Sequence, residues 1–289
     1  MIATAAGWIE QAVDTERYPL SAPTSTDWIK TVAAARQELD CFGCTILPGF
    51  IRSSMVETLR LECSSVVSSA YYDVETVNVY NTAADVSLPE GHPLNTMMER
   101  GNAFVPRDMI PEEFLIQKLY TSQQLQHLVA SCFHLSRVYE LADPLAGLCL
   151  NVLTPGRSHP WHFDTNQFAV SLITQGPEAG GSFDYCPNIR SANTENFDDV
   201  GQVLAGRGEH LIRSLWLRPG DLQLFRGRYS MHRVGAVQGE TERHSAIFAY
   251  AERPGVVGTV ARTRQLFGRV LPAHLAAGDL AVRADQLLD

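Results

Sequence analysis

Three things are scarce in this sequence: long apolar runs, basic residues and targeting signals. No apolar run approaches the roughly 20 residues that a bilayer-spanning helix needs, so we expect no membrane partner. The 23 Lys and Arg are outnumbered by 32 Asp and Glu, and the net charge of −9 disfavours nucleic acid or an anionic membrane as a partner. Residues 1–7 lack the basic segment and long apolar core of a secretion signal, which predicts a cytoplasmic protein.

The six cysteines show no regular framework of spacings, so we expect them to be reduced. Cys41 and Cys44 form a CxxC pair, but a zinc site would need a second ligand pair, and none has suitable spacing. The pair is therefore predicted to mark a turn into a strand. The chain does have a hydrophobic content of 45%, enough for a substantial core, and we expect a single domain over residues 1–289.

The pattern of apolar residues and turn signals divides the chain into three parts. Residues 1–140 are predicted to be a mainly helical support region, residues 141–270 a strand-rich core, and residues 271–289 a C-terminal tail. The predicted elements are a helix capped by Asp27, helices at 53–70 and 111–134, and strands at 44–47, 148–153, 168–173, 181–185, 215–217, 222–225 and 245–250. Helices ahead of many short strands predict an α+β fold with a double-stranded β-helix (jelly-roll or cupin-like) core and N-terminal and flanking helices.

The clearest chemical signal is the pair His162 and Asp164, with His232 further along the chain. In an extended strand residues i and i+2 point to one face, so His162 and Asp164 can reach one metal while Phe163 points away. Two imidazoles and one carboxylate form the facial triad of non-haem Fe(II) sites, which leaves coordination positions open for O2. A bare His-x-Asp also arises by chance; His232 and the arginine that follows it favour the metal site.

Arg243 and Ser245 supply the second part of the predicted site. 2-Oxoglutarate chelates iron through its 2-keto group and C1 carboxylate, so its C5 carboxylate needs a separate partner. The planar guanidinium of arginine can hold a carboxylate bidentately, and Ser245 lies on the same strand face, where it can donate a third hydrogen bond. The plain alternative is a solvated arginine at a strand end. Together with the triad, the pair predicts an oxygenase that uses Fe(II), 2-oxoglutarate and O2.

These residues match the HxD…H…RxS pattern of Fe(II)/2-oxoglutarate-dependent oxygenases, which the sequence resembles, and the turn at 219–221 before His232 is similar too. A closer resemblance, over most of residues 80–270, is to the bacterial subgroup of halogenases and hydroxylases of free amino acids such as lysine. It rests on residues 151–156, 161–168, 175–181, 183–185, 187–190 and 262–269. The resemblance implies oxidation of an unactivated C–H bond of a free amino acid or close derivative, with release of succinate and CO2.

Two departures from that subgroup bear on the function. Its halogenases have glycine in place of the metal carboxylate, so that chloride can bind there. Asp164 fills that position here and disfavours a chloride ligand, which predicts oxygenation and not halogenation. Where the halogenases carry polar residues for the substrate's side-chain end, this chain has Ile247 and Ala249. A distal amine would be left unpaired there, which is costly, so a substrate with an apolar or shorter side chain is at least as expected as lysine.

The resemblance also implies contacts for five further residues. His159 is expected to meet the amino-acid head of the substrate, and Arg100 its carboxylate. Thr165 or Asn166, just after the metal carboxylate, could hydrogen-bond the substrate amine. Asn151 could contact the C1 carboxylate of 2-oxoglutarate or simply cap a strand. Surface or helix-end positions are the plain alternatives for His159 and Arg100.

Three functions remain open at this stage. The first is the oxygenation, most simply hydroxylation, of a free amino acid. The second is the same chemistry, including desaturation or cyclisation, on a nucleotide, a carrier-bound amino acid or a natural-product intermediate. The third is a non-enzymatic metal-binding cupin. In the first two the partner is a small molecule, and a homodimer is left open.

Overall fold

The computed structural model describes residues 7–277, 285, 287 and 288. The predicted C-terminal tail at 271–289 thus lies partly outside the described residues, and the single-domain assignment stays a prediction. The helices are α1 Gly7–Ala12, α2 Thr26–Phe42, α3 Ser53–Ser65, α4 Leu115–Thr121, α5 Gln123–Cys132, α6 Phe197–Leu204, α7 Val260–Phe267 and α8 Pro272–Ala277. Four 3₁₀ turns cover Val67–Ser69, Pro93–Asn95, Arg107–Met109 and Glu209–Leu211.

The strands are short and cluster in the second half of the chain. They are β1 Cys44–Leu47, β2 Glu75–Val77, β3 Met98–Arg100, β4 Ala103–Pro106, β5 Tyr139–Glu140, β6 Leu148–Leu153, β7 His159–His162, β8 Ala169–Gln175, β9 Ala179–Gly180, β10 Phe183–Cys186, β11 Arg213–Leu215, β12 Leu222–Phe225, β13 Met231–Val234, β14 Val237–Gln238, β15 Arg243–Phe248 and β16 Tyr250–Ala251. None of the helices within the described residues is long and apolar enough to cross a bilayer.

Two antiparallel sheets form the centre of the described structure. The larger has six strands in the order β1-β12-β8-β15-β6-β4, and the smaller has four in the order β11-β10-β13-β7. Neighbours in each order are far apart in the chain, so the sheets are built from long-range pairings. Helices that precede a pair of antiparallel sheets give the α+β arrangement that the sequence predicts.

Strands β4, β6 and β12 of the six-stranded sheet are buried along their whole length, and alternation decides what each face contacts. On β6, Leu148, Leu150 and Val152 belong to the main hydrophobic cluster, which also contains residues of helices α1–α5. Cys149 and Asn151, between them, line a cavity on the other face. Successive side chains of a strand point to opposite faces. One face of the sheet thus packs against the helices, and side chains on the other face line the cavity.

Three helix predictions differ from the structure. The N-cap of α2 is Ser25, whose hydroxyl accepts a hydrogen bond from the Trp28 N–H at 3.2 Å, so Asp27 lies in the first turn instead. The helix predicted at 53–70 ends at Ser65 and is followed by the 3₁₀ turn Val67–Ser69. The helix predicted at 111–134 is two helices, because the Ser122 hydroxyl accepts from the Leu125 N–H and caps the second.

The strand predictions at 44–47, 148–153 and 222–225 agree with the structure residue by residue. Those at 168–173, 181–185 and 215–217 overlap β8, β10 and β11 with shifted ends, and the strand predicted at 245–250 spans 243–248. The predicted CxxC turn is also found: Gly43 adopts a left-handed φ of 67° between α2 and β1, and its N–H donates to Leu39 O. All six cysteines lie within the described residues and are free thiols there.

Candidate active site

The two predicted metal-binding histidines lie side by side on neighbouring strands of the smaller sheet. His162 ends β7, and His232 on β13 is its direct partner in the antiparallel register. Directly opposed residues project to the same face, and the two imidazole centroids are 4.0 Å apart. β13, which carries His232, is not predicted by the sequence pattern.

Asp164 lies just beyond β7, which corrects the expectation that the whole His-x-Asp segment is a strand. The Phe163 N–H donates to Val79 O and the Asp164 N–H to Gly227 O, so the backbone leaves the ladder after His162. Asp164 still reaches the histidines, since its Oδ1 is 3.8 Å from His162 Nε2 and 3.6 Å from His232 Nε2. Phe163 turns away, as predicted, and stacks on Tyr80.

Backbone carbonyls orient both imidazoles in a way that suits metal binding. Nδ1 of His162 is 2.8 Å from Pro160 O, and Nδ1 of His232 is 3.1 Å from Ser230 O. A carbonyl oxygen only accepts, so each Nδ1 carries the proton and each Nε2 keeps its lone pair toward Asp164. Burial lowers the pKa of His162 to about 3 and that of His232 to about 4. Both rings are therefore neutral near pH 7, the form that binds metal.

The three side chains fit a divalent metal ion. One ligand atom from each of His162, Asp164 and His232 can be chosen so that all lie within 4.8 Å of one another. Nitrogen and oxygen ligands bound at about 2.1 Å lie at most about 4.2 Å apart around one ion, and the two carboxylate-to-imidazole distances fall below that limit. Two imidazoles with one carboxylate suit Fe(II).

His159 reaches the same cavity because of a β-bulge. On regular β7 a residue three positions before His162 would point to the opposite face. The register against β13 shifts, however: His162 pairs with His232, whereas His159 pairs with Val234. The three-residue interval from His159 to His162 on β7 thus opposes a two-residue interval on β13. The extra residue of this bulge turns the His159 side chain to the face that carries His162. Its imidazole stacks on that of His162 with centroids 3.8 Å apart, and burial lowers its pKa well below the usual value.

Arg243 is the buried cation that the sequence predicts. It begins β15, is 5% exposed, and donates to the Ser245 hydroxyl from Nη1 at a long 3.4 Å. Among the described residues no carboxylate lies within ion-pair distance of its guanidinium. Burial lowers the Arg243 pKa to about 10. A buried charge without a counterion is costly, and a planar guanidinium suits a carboxylate, so the predicted role of Arg243 in anion binding is compatible with its surroundings.

One cavity of about 150 Å³ between the two sheets brings these groups together. Eight predicted site residues line it: His162, Asp164, His232, Arg243, Ser245, Asn151, His159 and Ile247. Its other lining residues are Phe104, Cys149, Ala169, Ser171, Phe183, Gln223, Phe225, Val234 and Arg262. The three candidate metal ligands, the buried Arg243 and several apolar side chains therefore line one cavity.

The other four predicted residues lie outside this cavity lining. Arg100 is buried, forms an ion pair with Glu75 at 3.0 Å and donates to Gln265 O. The carbonyl of Thr165 accepts from the Arg228 guanidinium. Asn166 lines a separate cavity of about 540 Å³, and the carbonyl of Ala249 accepts from the Tyr120 hydroxyl. Their roles toward substrate stay predictions.

Arg262 and Gly227 are among the site residues that the sequence-based predictions missed. Arg262, on α7, lines the cavity and donates to the Gln265 side chain. It belongs to the segment 262–269 that carries part of the resemblance, so a signal for it existed. Gly227 lies against the Asp164 side chain, and no sequence signal marks it.

Comparisons with known proteins agree with this architecture. The sequence model of the Halogenase D family matches residues 28–264. No curated protein matches the chain. Similar solved structures include AviO1 from Streptomyces viridochromogenes Tue57, with 15% identity, a TM-score of 0.52, and coverage of 78% of this chain and 96% of that one. The prolyl hydroxylase of Trichoplax adhaerens, solved with a hypoxia inducible factor peptide, has 15% identity, a TM-score of 0.50, and coverage of 80% and 96%.

A third similar structure is the non-haem α-ketoglutarate-dependent epimerase SnoN from nogalamycin biosynthesis. It has 13% identity, a TM-score of 0.51, and coverage of 77% of this chain and 83% of that one. At these identities the likeness concerns the fold, and it confirms the predicted jelly-roll core. The family match covers most of the chain and includes the triad and Arg243. The chain therefore belongs to the Halogenase D family and is an enzyme of the Fe(II)/2-oxoglutarate-dependent oxygenase superfamily.

Proposed function

We propose that this protein hydroxylates an unactivated C–H bond of a free amino acid or a close derivative. In this reaction 2-oxoglutarate and O2 are converted to succinate and CO2, and one oxygen atom enters the substrate. The observation that carries the proposal is that three metal-binding side chains and an uncompensated buried arginine line one cavity.

The chain's own groups have separable tasks in this reaction. When bound, Fe(II) with 2-oxoglutarate and O2 supplies the oxidant that removes hydrogen from carbon. His162, Asp164 and His232 would hold the metal on one face and leave the opposite face open. Arg243 and Ser245 would hold the C5 carboxylate of 2-oxoglutarate. Phe183 and Phe225 pack on His232, with ring centroids 5.5 and 4.7 Å away, fix its ring and keep water from that wall.

Asp164 is the residue that favours oxygenation over the halogenation for which the family is named. Its carboxylate occupies a metal ligand position and adds negative charge there, so an anionic chloride ligand is disfavoured. The variant Asp164→Gly, assayed with chloride, tests this. Chlorination by the variant alone supports the proposal, whereas efficient chlorination by the unmodified protein contradicts it.

The charges on the cavity wall support a substrate that bears a carboxylate. Asp164 is the single acidic residue among the described lining residues, and it is committed to the metal. Two cations, Arg243 and Arg262, line the same space. With Arg243 assigned to 2-oxoglutarate, Arg262, which also donates to the Gln265 side chain, is the candidate to pair with an acid group of the substrate. A cationic side chain such as that of lysine would find no carboxylate on this wall, which supports an apolar or short side chain.

The size of the cavity and the state of His159 support a free amino acid in particular. The volume of about 150 Å³ is below the roughly 300–1,000 Å³ of pockets for drug-sized ligands, which disfavours a nucleotide or a carrier-bound substrate. His159 is kept neutral by its lowered pKa and can accept a hydrogen bond from a substrate ammonium group. Arg100, Thr165, Asn166 and Ala249 remain candidates for outer contacts.

Substrate-stimulated release of succinate tests the function directly. The purified protein with Fe(II), 2-oxoglutarate and O2 is assayed against each of the twenty amino acids, and products are examined by mass spectrometry for a gain of one oxygen. We expect stimulation by a small or apolar member. Stimulation by none would refute the amino-acid substrate and leave the same chemistry on another metabolite. No turnover of 2-oxoglutarate under any condition would favour a metal-binding protein without enzymatic activity.

A further inference from the structure

Gly227 occupies a position where any side chain would collide with the metal carboxylate. A Cβ atom built on Gly227 would lie 1.7 Å from Asp164 Oδ2, 2.5 Å from its Cγ and 2.9 Å from its Cβ. Contacts below 3.0 Å are essentially never seen for real Cβ atoms. Gly227 does not have a positive φ. Glycine is therefore needed there for space, and not for backbone conformation, as long as the Asp164 carboxylate keeps its present place.

The backbone on both sides of Gly227 is tied down, so it cannot retreat from Asp164. Residue 227 lies in the turn between β12 and β13, where the Arg226 N–H donates to Gly43 O and the Tyr229 and Ser230 N–H groups donate back to Arg226 O. The Gly227 carbonyl itself accepts from the Asp164 N–H at 3.1 Å. These hydrogen bonds hold the segments that carry Gly227 and Asp164 so close together that the Asp164 carboxylate has room only beside a glycine.

The packing also selects which carboxylate oxygen faces the metal position. Asp164 Oδ1 lies 3.6 and 3.8 Å from the two imidazole Nε2 atoms, whereas Oδ2 is the atom nearest the face of Gly227. We propose that Gly227 is a positioning residue for the metal centre: it provides the space into which the Asp164 carboxylate turns so that a single oxygen is presented to the ion. This inference rests on the proposed metal role of Asp164.

A consequence is that positions 164 and 227 are coupled. With Asp at 164, a side chain at 227 expels the carboxylate from its place. With Gly at 164, the clashing atoms are absent, and Ala at 227 meets no carboxylate. In the subgroup that this sequence resembles, halogenases differ from hydroxylases by a small residue in place of the metal carboxylate. Such an exchange at position 164 would therefore allow a residue larger than glycine at position 227.

A double-mutant cycle with Gly227→Ala and Asp164→Gly tests the coupling without relying on turnover. Mn(II) affinity is measured by calorimetry, and the urea midpoint of the metal-free protein by circular dichroism. Gly227→Ala alone is expected to weaken Mn(II) binding on the order of 10- to 100-fold, as loss of ligand support does, and to lower the urea midpoint. In the Asp164→Gly background the same substitution should leave the midpoint unchanged. Gly91→Ala is the matched control, because a Cβ on Gly91 meets nothing within 4 Å.

The outcomes separate this inference from the proposed function. If Gly227→Ala binds Mn(II) as tightly as the unmodified protein, or lowers the midpoint equally in both backgrounds, Gly227 does not position Asp164. If Asp164→Gly itself binds Mn(II) like the unmodified protein, the metal role of Asp164 fails instead. Should Gly227→Ala not fold, the pair Gly227→Ala/Asp164→Gly decides: recovery of a folded protein supports the coupling, and failure to recover overturns it.

Discussion

Replacement of Arg243 by methionine should stabilise the ligand-free protein while it abolishes stabilisation by 2-oxoglutarate. The guanidinium is 5% exposed, and its one hydrogen-bond partner among the described residues is the Ser245 hydroxyl at 3.4 Å. Burial lowers its pKa from 12.5 to about 10. Since each pH unit of pKa corresponds to about 1.4 kcal/mol, the charge costs the folded state roughly 3 kcal/mol at neutral pH.

Methionine is shorter than arginine, but it is unbranched, apolar and uncharged, so it removes this cost and keeps the packing of the inner part of the side chain. Replacement of buried charges by apolar residues of similar volume is often neutral or stabilising by about 1–4 kcal/mol. For a chain of this size, 1–3 kcal/mol corresponds to a rise in Tm of roughly 2–6 °C. The unmodified protein should instead gain about 2.7 kcal/mol from 2-oxoglutarate at one hundred times its Kd, and the variant should gain none.

The assay is urea unfolding followed by circular dichroism, with Mn(II) present, at increasing 2-oxoglutarate. Arg207→Met is the matched control, because Arg207 is exposed, and it should change neither curve. A ligand-free Arg243→Met protein that is less stable than the unmodified one would refute the reasoning, since Arg243 would then have a structural role. Retention of 2-oxoglutarate stabilisation in the variant would show that the dicarboxylate binds elsewhere.

Three further predictions follow from single contacts. Tyr120→Phe should lower the free energy of unfolding by about 1–3 kcal/mol, because the buried hydroxyl accepts from the Leu141 N–H and donates to Ala249 O. Chemical denaturation measures this free energy, and an unchanged value would mean that water replaces the hydroxyl. Arg262→Gln should raise the KM for the substrate about 10- to 100-fold and leave that for 2-oxoglutarate unchanged; if Arg100→Gln alone has this effect, Arg100 is the substrate's cation. Burial lowers the pKa of His244 below 6.5 despite its hydrogen bond to Glu242. Between pH 6.5 and that lowered pKa, the unfolded state therefore binds a proton that the native state does not. The free energy of unfolding falls with falling pH in this window, by at most about 1.4 kcal/mol per pH unit. His244→Gln should make the decline measured by urea unfolding from pH 8 to 5 shallower, and an unchanged slope would contradict the assignment.

That the candidate metal ligands and Arg243 lie together could be predicted in part because some of these residues are closely spaced in the sequence, whereas their roles stay predictions. His162 and Asp164 are two residues apart, and so are Arg243 and Ser245, and each pair shares a side of the backbone in the structure. The spacing of residues in the sequence cannot predict where the hydrogen-bonded pairing of a strand ends. Val79 and Gly227, distant in the chain, capture the Phe163 and Asp164 N–H groups, so β7 stops one residue into the motif.

The residues that sequence reasoning missed or could not place depend on contacts between distant segments. His159 enters the cavity only because a bulge in β7 against β13 offsets the alternation. Arg262 enters it because α7 packs near β4, and Gly227 matters only once the β12–β13 turn meets Asp164. Each of these requires knowledge of contacts between distant segments, and β13 itself gives too short an apolar signal to be predicted from its four residues.

Alternating side chains of the same strands line the candidate active site and form the hydrophobic core. A change of strand register would therefore alter both. On β15, Arg243, Ser245 and Ile247 face the cavity, while Ala246 and Phe248 lie in the main cluster with the helical layer. A slip of one residue against β6 or β8 would send the arginine into the helices and phenylalanine into the cavity. The cost of burying that cation against apolar helices disfavours the slipped register. Arg243 therefore also favours the observed register of β15, although we expect it to lower the stability of the ligand-free fold.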